Sequence, residues 1–233
     1  MPNIIIAIDG SSSSGKGTFA KKIASCLGLP HLDSGAVYRA VTLYGLRSGR
    51  IAWNGDIDFR ALQEDLLHEK ADISFVVDRR GDSHIFLGDD DVSTEIREME
   101  VARNVSAVSA LPFVRNYVDE LLHKLGSKGC VMDGRDIGTA VFPNADLKIY
   151  MTADPQIRAQ RRVEQMRQSG LEANFDEILK NVQERDYMDS HRSFHPFKMA
   201  DDALVLDNSH MTVEQQMEWL DGILQERFGL KLL

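Results

Sequence analysis

Ile4-Ile5-Ile6-Ala7-Ile8-Asp9-Gly10-Ser11-Ser12-Ser13-Ser14-Gly15-Lys16-Gly17-Thr18 is the stretch that decides the fold. Its apolar run predicts a strand buried on both faces, and a helical pattern begins after Lys16. The spacing Gly10-x-x-x-x-Gly15-Lys16, with a strand before it and a helix behind it, predicts a phosphate-binding loop. Glycines let the backbone turn its N–H groups inward, the helix adds its positive N-terminal end, and Lys16 supplies a full charge.

Two positions of this loop depart from the general pattern. Gly17 stands where a hydroxyl usually follows the lysine, and Thr18 comes one position later. This Gly-Lys-Gly-Thr ending resembles the nucleoside monophosphate kinases, whose loop usually has a glycine where Ser13 stands. We expect Ser13 to fit the turn with a negative φ. Which hydroxyl helps to hold a metal beside the loop stays open.

Charge is distributed unevenly along the 233 residues. The net charge is −9, from 36 acidic and 27 basic residues, and Asn54 to Asn104 alone holds 14 acids and 6 bases. This segment indicates an inserted subdomain, with an ordinary solvated surface as the alternative. An acidic surface argues against binding nucleic acid polymers. The N-terminal apolar run is too short to cross a membrane and lacks a basic leader, so we expect a cytoplasmic protein.

Strands alternate with helices, which predicts a parallel sheet with helices on both faces. Asp33 to Arg39 follows the short strand Pro30-His31-Leu32, and Asp133 to Asp136 follows the strand Cys130-Val131-Met132. Because ligands bind at the carboxyl ends of parallel strands, we expect both segments and the phosphate loop to line one crevice. We expect Ser34 to cap a helix and to face a phosphate together with Arg39. A capped helix with a surface arginine is an equally weighted alternative.

Within the acidic segment, Asp72 to Val77 and His84 to Leu87 predict a β-hairpin with its turn at Arg79 to Asp82. Asp89 to Asp91 lacks the spacing of a calcium loop, which favours a charged turn between short strands. We expect Ser93 or Thr94 to cap a helix that continues through Val101.

A third group of residues lies on a helix that opens at Asp154-Pro155. Arg158, Arg161 and Arg162 fall at i, i+3 and i+4 and therefore share a face. Arginine forks suit phosphate oxygens, so this face is a candidate phosphate clamp. From Arg158 to Arg192 the bases and acids balance at seven each, and on these residues alone a salt-bridged helix surface is the slightly favoured interpretation.

Taken together, these motifs resemble the bacterial cytidylate kinases over essentially the whole chain. The resemblance implies an α/β fold of the P-loop NTPase type. Its core would comprise residues 1–53 and 105–233, with a helical lid at about 154–192 and a small inserted subdomain for the nucleoside monophosphate at 54–104. The matching stretches are Ile8–Thr18, Leu32–Arg39, Asp133–Pro143, Glu184-Arg185-Asp186 with Asp189 and Arg192, and Ala203–Asp207.

The resemblance also implies an activity, the ATP-dependent phosphorylation of CMP and dCMP by direct in-line transfer, in a cytoplasmic monomer. Mg²⁺ would arrive with ATP and lie near Thr18. The implied ATP-binding residues are Gly10, Ser11, Ser12, Ser13, Ser14, Gly15, Lys16, Gly17, Thr18 and Arg158. The implied CMP-binding residues are Ser34, Arg39, Ser106, Arg115, Arg135, Asp136, Arg185, Asp189 and Arg192. Catalysis would rest on Lys16, Arg135, Arg158, Arg162 and Arg192.

Two other classes of protein remain as alternatives. A GTP-binding regulatory switch would carry Asp-x-x-Gly after a strand and Asn-Lys-x-Asp for guanine, but Asp133 is followed at the fourth place by Asp136, and Asn-Lys-x-Asp is absent. A P-loop kinase for another nucleotide or small metabolite, such as the shikimate type, would share the phosphate loop. The Asp33-Ser34-Gly35 motif and the acidic insert argue against it.

Overall fold

A computed structural model describes residues 3–78, 83–168 and 170–232 of the chain. The chain divides into two compact units. The first comprises Met1–Leu29 with Gly129–Leu233, and the second comprises Pro30–Lys128. The predicted insert at 54–104 lies within the second unit, and its bounds stay a prediction.

The strands are β1 Ile5–Gly10, β2 His31–Asp33, β3 Ile73–Val77, β4 Ser83–Leu87, β5 Asp90–Asp91, β6 Cys130–Gly134, β7 Leu147–Thr152 and β8 Leu204–Asp207. The helices are α1 Lys16–Leu27, α2 Ser34–Arg47, α3 Phe59–Leu67, α4 Met99–Ser109, α5 Pro112–Gly126, α6 Pro155–Gln168, α7 Phe175–His191 and α8 Val213–Phe228. A 3₁₀ turn covers Glu95–Arg97, and a π-helical turn covers Ile137–Val141.

In the first unit, β6, β1, β7 and β8 are neighbours in that order, and each adjacent pair is parallel. Ile8 of β1 lies opposite Asp133 of β6 and Ile149 of β7, so the carboxyl ends of these strands are level. A strand that has neighbours on both sides and is covered by helices consists of an unbroken run of apolar residues. Ile4 to Ile8 is such a run. The prediction of a parallel α/β sheet flanked by helices is confirmed.

The core of the first unit joins the sheet to α1 and α8. Phe19 and Ile23 of α1 and Leu220 and Leu224 of α8 are fully buried. Their spacing of four residues keeps each pair on one helix face, which packs against the sheet. Helix α1 ends at Leu27 and is capped by Gly28, whose φ of 65° is the left-handed conformation that glycine adopts without strain.

In the second unit, β3, β4 and β5 form an antiparallel sheet. The predicted hairpin strands are confirmed, and the predicted turn at Arg79 to Asp82 lies outside the described residues. The predicted helix from Ser93 or Thr94 through Val101 is wrong. The chain makes the short 3₁₀ turn, becomes extended at Glu98 with ψ 156°, and starts α4 only at Met99.

The cap of α2 also differs from the prediction. Asp33, not Ser34, is the N-cap, and its carboxylate accepts a hydrogen bond from the Ala36 N–H at 3.3 Å. Aspartate and serine are equally good caps, so the sequence alone does not decide between neighbours. Among the described residues, no helix is long and apolar enough to cross a membrane.

Candidate active site

The phosphate loop connects the end of β1 to the start of α1. Gly15 is the N-cap of α1 with φ 95°, and the helix begins at Lys16. The Lys16 ammonium donates to the Ser11 carbonyl oxygen at 3.2 Å. The first N–H groups of a helix and a neighbouring lysine are suited to hold an anion, and the role of this loop toward ATP stays a prediction.

Ser13 adopts φ 58°, so the expectation of a negative φ at this position is wrong. A side chain in the left-handed region places Cβ close to a carbonyl oxygen, which costs about 1–2 kcal/mol. The curl of the loop imposes this conformation even though the residue is not glycine. The loop therefore contains local strain at the position where the family that the chain resembles usually has glycine.

Long-range donors hold the outer carbonyl groups of the loop. Asn208 donates its amide N–H to the Ser14 carbonyl oxygen at 2.6 Å, and Arg161 donates to the same oxygen at 3.3 Å. Gln216 in turn donates to the Asn208 side-chain oxygen at 2.6 Å. Asn208 and Gln216 are buried. Sequence reasoning missed both as supports of the loop, because partners nearly two hundred residues apart leave no local pattern.

The arginines of α6 have different surroundings. Arg158 is 3% exposed, pairs with Asp186 at 2.6 Å and donates to the Ser12 carbonyl oxygen at 3.3 Å. Arg162 is exposed and donates to the Gln165 side chain at 2.9 Å. Of these two predicted catalytic residues, the structure therefore brings Arg158 to the loop and leaves Arg162 at the surface.

The segment after β6 meets the phosphate loop through Arg135. Its guanidinium donates to the Gly10 carbonyl oxygen at 2.9 Å and to a carboxylate oxygen of Asp189 at 2.9 Å. It also lies over the ring of Phe197, 5.9 Å from the centroid. The predicted meeting of the loop with Asp133 to Asp136 is thus observed. Asp33 to Arg39 belongs to the second unit, and its place in the crevice stays a prediction.

Asp136 lies beside two basic side chains. Arg192 is 3.2 Å from one carboxylate oxygen, and the His195 ring nitrogen Nδ1 is 3.9 Å from the other. His195 has φ 48°, and strained residues of this kind cluster at functional sites. A lone histidine in a loop gives no sequence pattern, so sequence reasoning did not find it.

Asp9 lies at the end of β1 and is 4% exposed. It accepts hydrogen bonds from the Ile137 N–H at 2.7 Å and the Gly138 N–H at 2.8 Å. Burial raises the pKa of Asp9 from 3.8 to about 6, although these N–H groups and Lys16 oppose the shift. Sequence reasoning quoted Asp9 only as part of a motif and gave it no role.

The second unit carries four of the predicted site residues: Ser34, Arg39, Ser106 and Arg115. Arg115 is 1% exposed, donates to the Ser109 carbonyl oxygen at 3.0 Å and lies 5.2 Å from the centre of the Tyr38 ring. Arg39 donates to the Ile96 carbonyl oxygen at 3.4 Å. Burying a guanidinium costs free energy unless it is paired, and the Ser109 carbonyl oxygen and the Tyr38 ring are partners of Arg115.

The oxygen donors beside Lys16 fit a magnesium ion. Thr18 presents an exposed hydroxyl in the first turn of α1. One oxygen of the Asp133 carboxylate lies 3.8 Å from where a Cβ on Gly17, the residue before Thr18, would stand. Mg²⁺ prefers oxygen ligands and takes a few from protein, the rest being water and phosphate oxygens.

Comparisons with known proteins give one family. The model of the family described as cytidylate kinase matches residues 6–225. A cytidylate kinase of Bacteroides thetaiotaomicron is 49% identical over 232 residues, 98% of this chain and 98% of that protein. That of Porphyromonas gingivalis is 46% identical over 230 residues, 97% and 98% of the two chains. That of Acholeplasma laidlawii is 38% identical over 231 residues, 99% of each.

Solved structures add a likeness of fold. The crystal structure of an uncharacterised protein from Eubacterium ventriosum matches with a TM-score of 0.52 at 12% identity, covering 96% of this chain and 99% of that one. At this identity the likeness shows the fold alone.

Proposed function

The chain belongs to the cytidylate kinase family, and from this we propose that it phosphorylates CMP and dCMP with ATP. An already ionised phosphate oxygen of CMP attacks the γ-phosphorus of ATP. The bond from that phosphorus to the β,γ-bridging oxygen breaks, and ADP leaves as CDP forms. The observation that carries the proposal is the family match along the chain, with a phosphate loop at the end of β1.

On the donor side, we assign ATP to Gly10 through Thr18 together with Arg158. The support is local: the loop precedes a helix N-terminus, Lys16 lies within it, and Arg158 donates to its backbone. Mg²⁺ would arrive with ATP, and Thr18 and Asp133 would hold it as oxygen donors. When bound, the ion neutralises charge on the phosphates.

On the acceptor side, residues of both units are assigned to CMP. Asp136, Arg115 and Ser106 are assigned to the base, because cytosine presents an amine donor beside ring acceptors. Asp189 and Arg185 are assigned to the sugar hydroxyls. Ser34, Arg39, Arg135 and Arg192 are assigned to the phosphate. The ion pairs Arg135–Asp189 and Arg192–Asp136 support this assignment, since they fix the side chains of the first unit near the loop.

Catalysis consists of positioning and charge neutralisation. Because the attacking oxygen is already ionised, the reaction needs no strong general base and forms no covalent enzyme intermediate. Lys16, Arg135, Arg158, Arg162 and Arg192 are assigned to the charge that develops on the transferring group. Residues 154–192 form the lid that closes over ATP and excludes water. We also propose that the protein acts as a monomer in the cytoplasm, which light scattering and fractionation would test.

The proposal is tested by ATP-dependent phosphorylation across CMP, dCMP, UMP, AMP, GMP and shikimate. We expect CMP and dCMP to have the highest kcat/KM. Preference for another acceptor would favour a different P-loop kinase. Nucleotide binding without transfer to any of them would favour a regulatory switch.

A further inference from the structure

We propose that Asp9 is a positioning residue for base recognition, because its carboxylate fixes the backbone that carries Asp136. The inference rests on the proposed role of Asp136 toward cytosine. Asp9 contacts the first two amides after Asp136, with Oδ1 accepting from Ile137 at 2.7 Å and Oδ2 accepting from Gly138 at 2.8 Å. A carboxylate that accepts two backbone N–H groups holds them more firmly than a neutral acceptor does.

The backbone of Asp136 is held from both sides. Its carbonyl oxygen accepts from the Ala140 N–H at 2.8 Å and the Val141 N–H at 3.2 Å, which closes the π-helical turn. The N–H groups at the start of such a turn lack intrahelical partners, and Asp9 satisfies two of them. Asp9 itself cannot shift, since β1 pairs with β6 and places Asp9 opposite Gly134. Asp9 therefore connects the base of the phosphate loop to the residue assigned to cytosine.

Charged and titratable groups face Asp9 from each neighbouring element. Asp136 raises the pKa of Asp9, and Lys16 lowers it, but burial is the largest cause of its rise to about 6. From β7, Asp9 contributes to raising the pKa of Tyr150, and the Lys148 stem lies against Gly138. When Asp9 binds a proton, the protonated oxygen becomes the poorer acceptor, so one of the two N–H groups is held less well.

The first experiment compares Asp9→Asn with the unchanged protein in steady-state kinetics. We expect KM for CMP to rise about tenfold while KM for ATP stays within about twofold, because one charge-assisted hydrogen bond beside Asp136 is lost. The preference for CMP over UMP should fall as well. Asp65→Asn is the matched control, since it replaces another buried aspartate whose partners, Arg50 and Lys70, lie in the second unit.

A folded Asp9→Asn protein with unchanged KM for CMP and unchanged preference would overturn the inference. A rise in KM for ATP alone, with KM for CMP unchanged, would also overturn the inference. If the unchanged protein does not phosphorylate CMP at all, the proposed function is wrong. This outcome differs from unchanged kinetics in Asp9→Asn, so failure of the proposed function and failure of the inference about Asp9 are distinguishable.

A second measurement needs no variant and decides the matter even if Asp9→Asn does not fold. In the unchanged protein, the amide NMR signals of Ile137 and Gly138 should shift together with a midpoint near pH 6. KM for CMP should rise over the same range as the pH falls. Because the CMP phosphate also titrates there, binding is also measured with a methylphosphonate monoester of cytidine as a competitive inhibitor, whose single negative charge stays constant from pH 5 to 7. Amide signals of Ile137 and Gly138 that titrate together while inhibitor binding stays constant would overturn the inference.

Discussion

Arg192 lies against Asp136 inside the first unit. A guanidinium nitrogen is 3.2 Å from a carboxylate oxygen, and the two side chains are only 10% and 6% exposed. A buried carboxylate is costly unless it is paired, and Arg192 offsets that cost. The neighbouring Arg135 pairs with Asp189 at 2.9 Å. Asp136 thus has a basic partner at the position where we propose that it accepts a hydrogen bond from the cytosine amine.

The first prediction concerns the choice of base. Asp136→Asn should lower the ratio of kcat/KM for CMP to that for UMP by about a hundredfold, because an amide can turn either its donor or its acceptor toward the base. Uracil presents a carbonyl oxygen where cytosine has its amine, so the carboxylate rejects it. The ratio is measured under matched ATP saturation.

Asp202→Asn is the control for this change, since Asp202 pairs with Lys148 in the same unit and has no assigned contact with CMP. An Asp136→Asn protein that keeps the full preference for CMP would show that another residue reads the base.

The fold and the loop could be predicted because they follow from local pattern. A buried apolar strand, a glycine-rich turn and an amphipathic helix stand in direct succession from Ile4 to Leu27, and each has its own signature. The Gly28 cap and the Pro112 start of α5 are likewise local signals. For these elements the sequence contains all the physical information that is needed.

The supports of the site could not be predicted in the same way. Asn208 reaches the Ser14 carbonyl oxygen only because β8 lies next to β7 in the folded sheet. The spacing of Arg161 and Arg162 places both near one helix face but does not say which reaches the loop. The positive φ of Ser13 depends on how the whole loop closes, whereas serine by itself favours a negative φ.

The second prediction concerns that strain. Ser13→Gly should raise the free energy of unfolding by about 0.5–1 kcal/mol. The strain energy that is relieved at the left-handed φ is larger than the entropic cost of glycine, which makes the unfolded chain more flexible. Denaturant melts measure the change. Ser12→Gly is the matched control: Ser12 has no positive φ, so the same exchange should destabilise the protein by a similar amount. Equal effects of the two substitutions would show that Ser13 is not strained.

The third prediction concerns the donor site. Lys16→Ala should lower kcat by about a hundredfold to a thousandfold, because a charge aimed at the transferring group is lost. The thermal midpoint should change little, since the Lys16 ammonium makes its described contact with the carbonyl of Ser11 in the same loop. Lys22→Ala on the exposed side of α1 is the control. A folded Lys16→Ala protein with near-normal turnover would exclude the assigned role.

The fourth prediction concerns stability and pH. The pKa of Asp9 is about 6 in the folded protein and ordinarily 3.8, so between these values the folded state keeps a proton that the unfolded state has lost. The free energy of unfolding should therefore fall as the pH rises through this window and level off above it. The total fall is about 3 kcal/mol, because each unit of difference in pKa corresponds to about 1.36 kcal/mol.

Denaturant melts from pH 4 to 7 measure this trend, and Asp9→Asn should remove it. Asp65 does not interfere, because Arg50 and Lys70 lower its pKa to about 2, below the window. As the pH falls, CMP should bind more weakly while the free energy of unfolding rises. If Asp9 had only a structural role, CMP binding and stability would not change in opposite directions with pH. If the difference in free energy of unfolding between the unchanged protein and Asp9→Asn does not depend on pH, the shifted pKa of Asp9 is contradicted.

The fifth prediction concerns the lid. Arg162 is exposed on α6, one turn beyond Arg158, which already contacts the phosphate loop. If residues 154–192 close when ATP binds, Arg162 moves toward the phosphates and adds a charge that is needed only in the transition state. Arg162→Ala should then lower kcat about a hundredfold with little change in KM for ATP. Arg167→Ala removes an equally exposed arginine from the same helix and should leave both constants unchanged. Equal kinetics of the two variants would mean that Arg162 stays at the surface throughout the reaction.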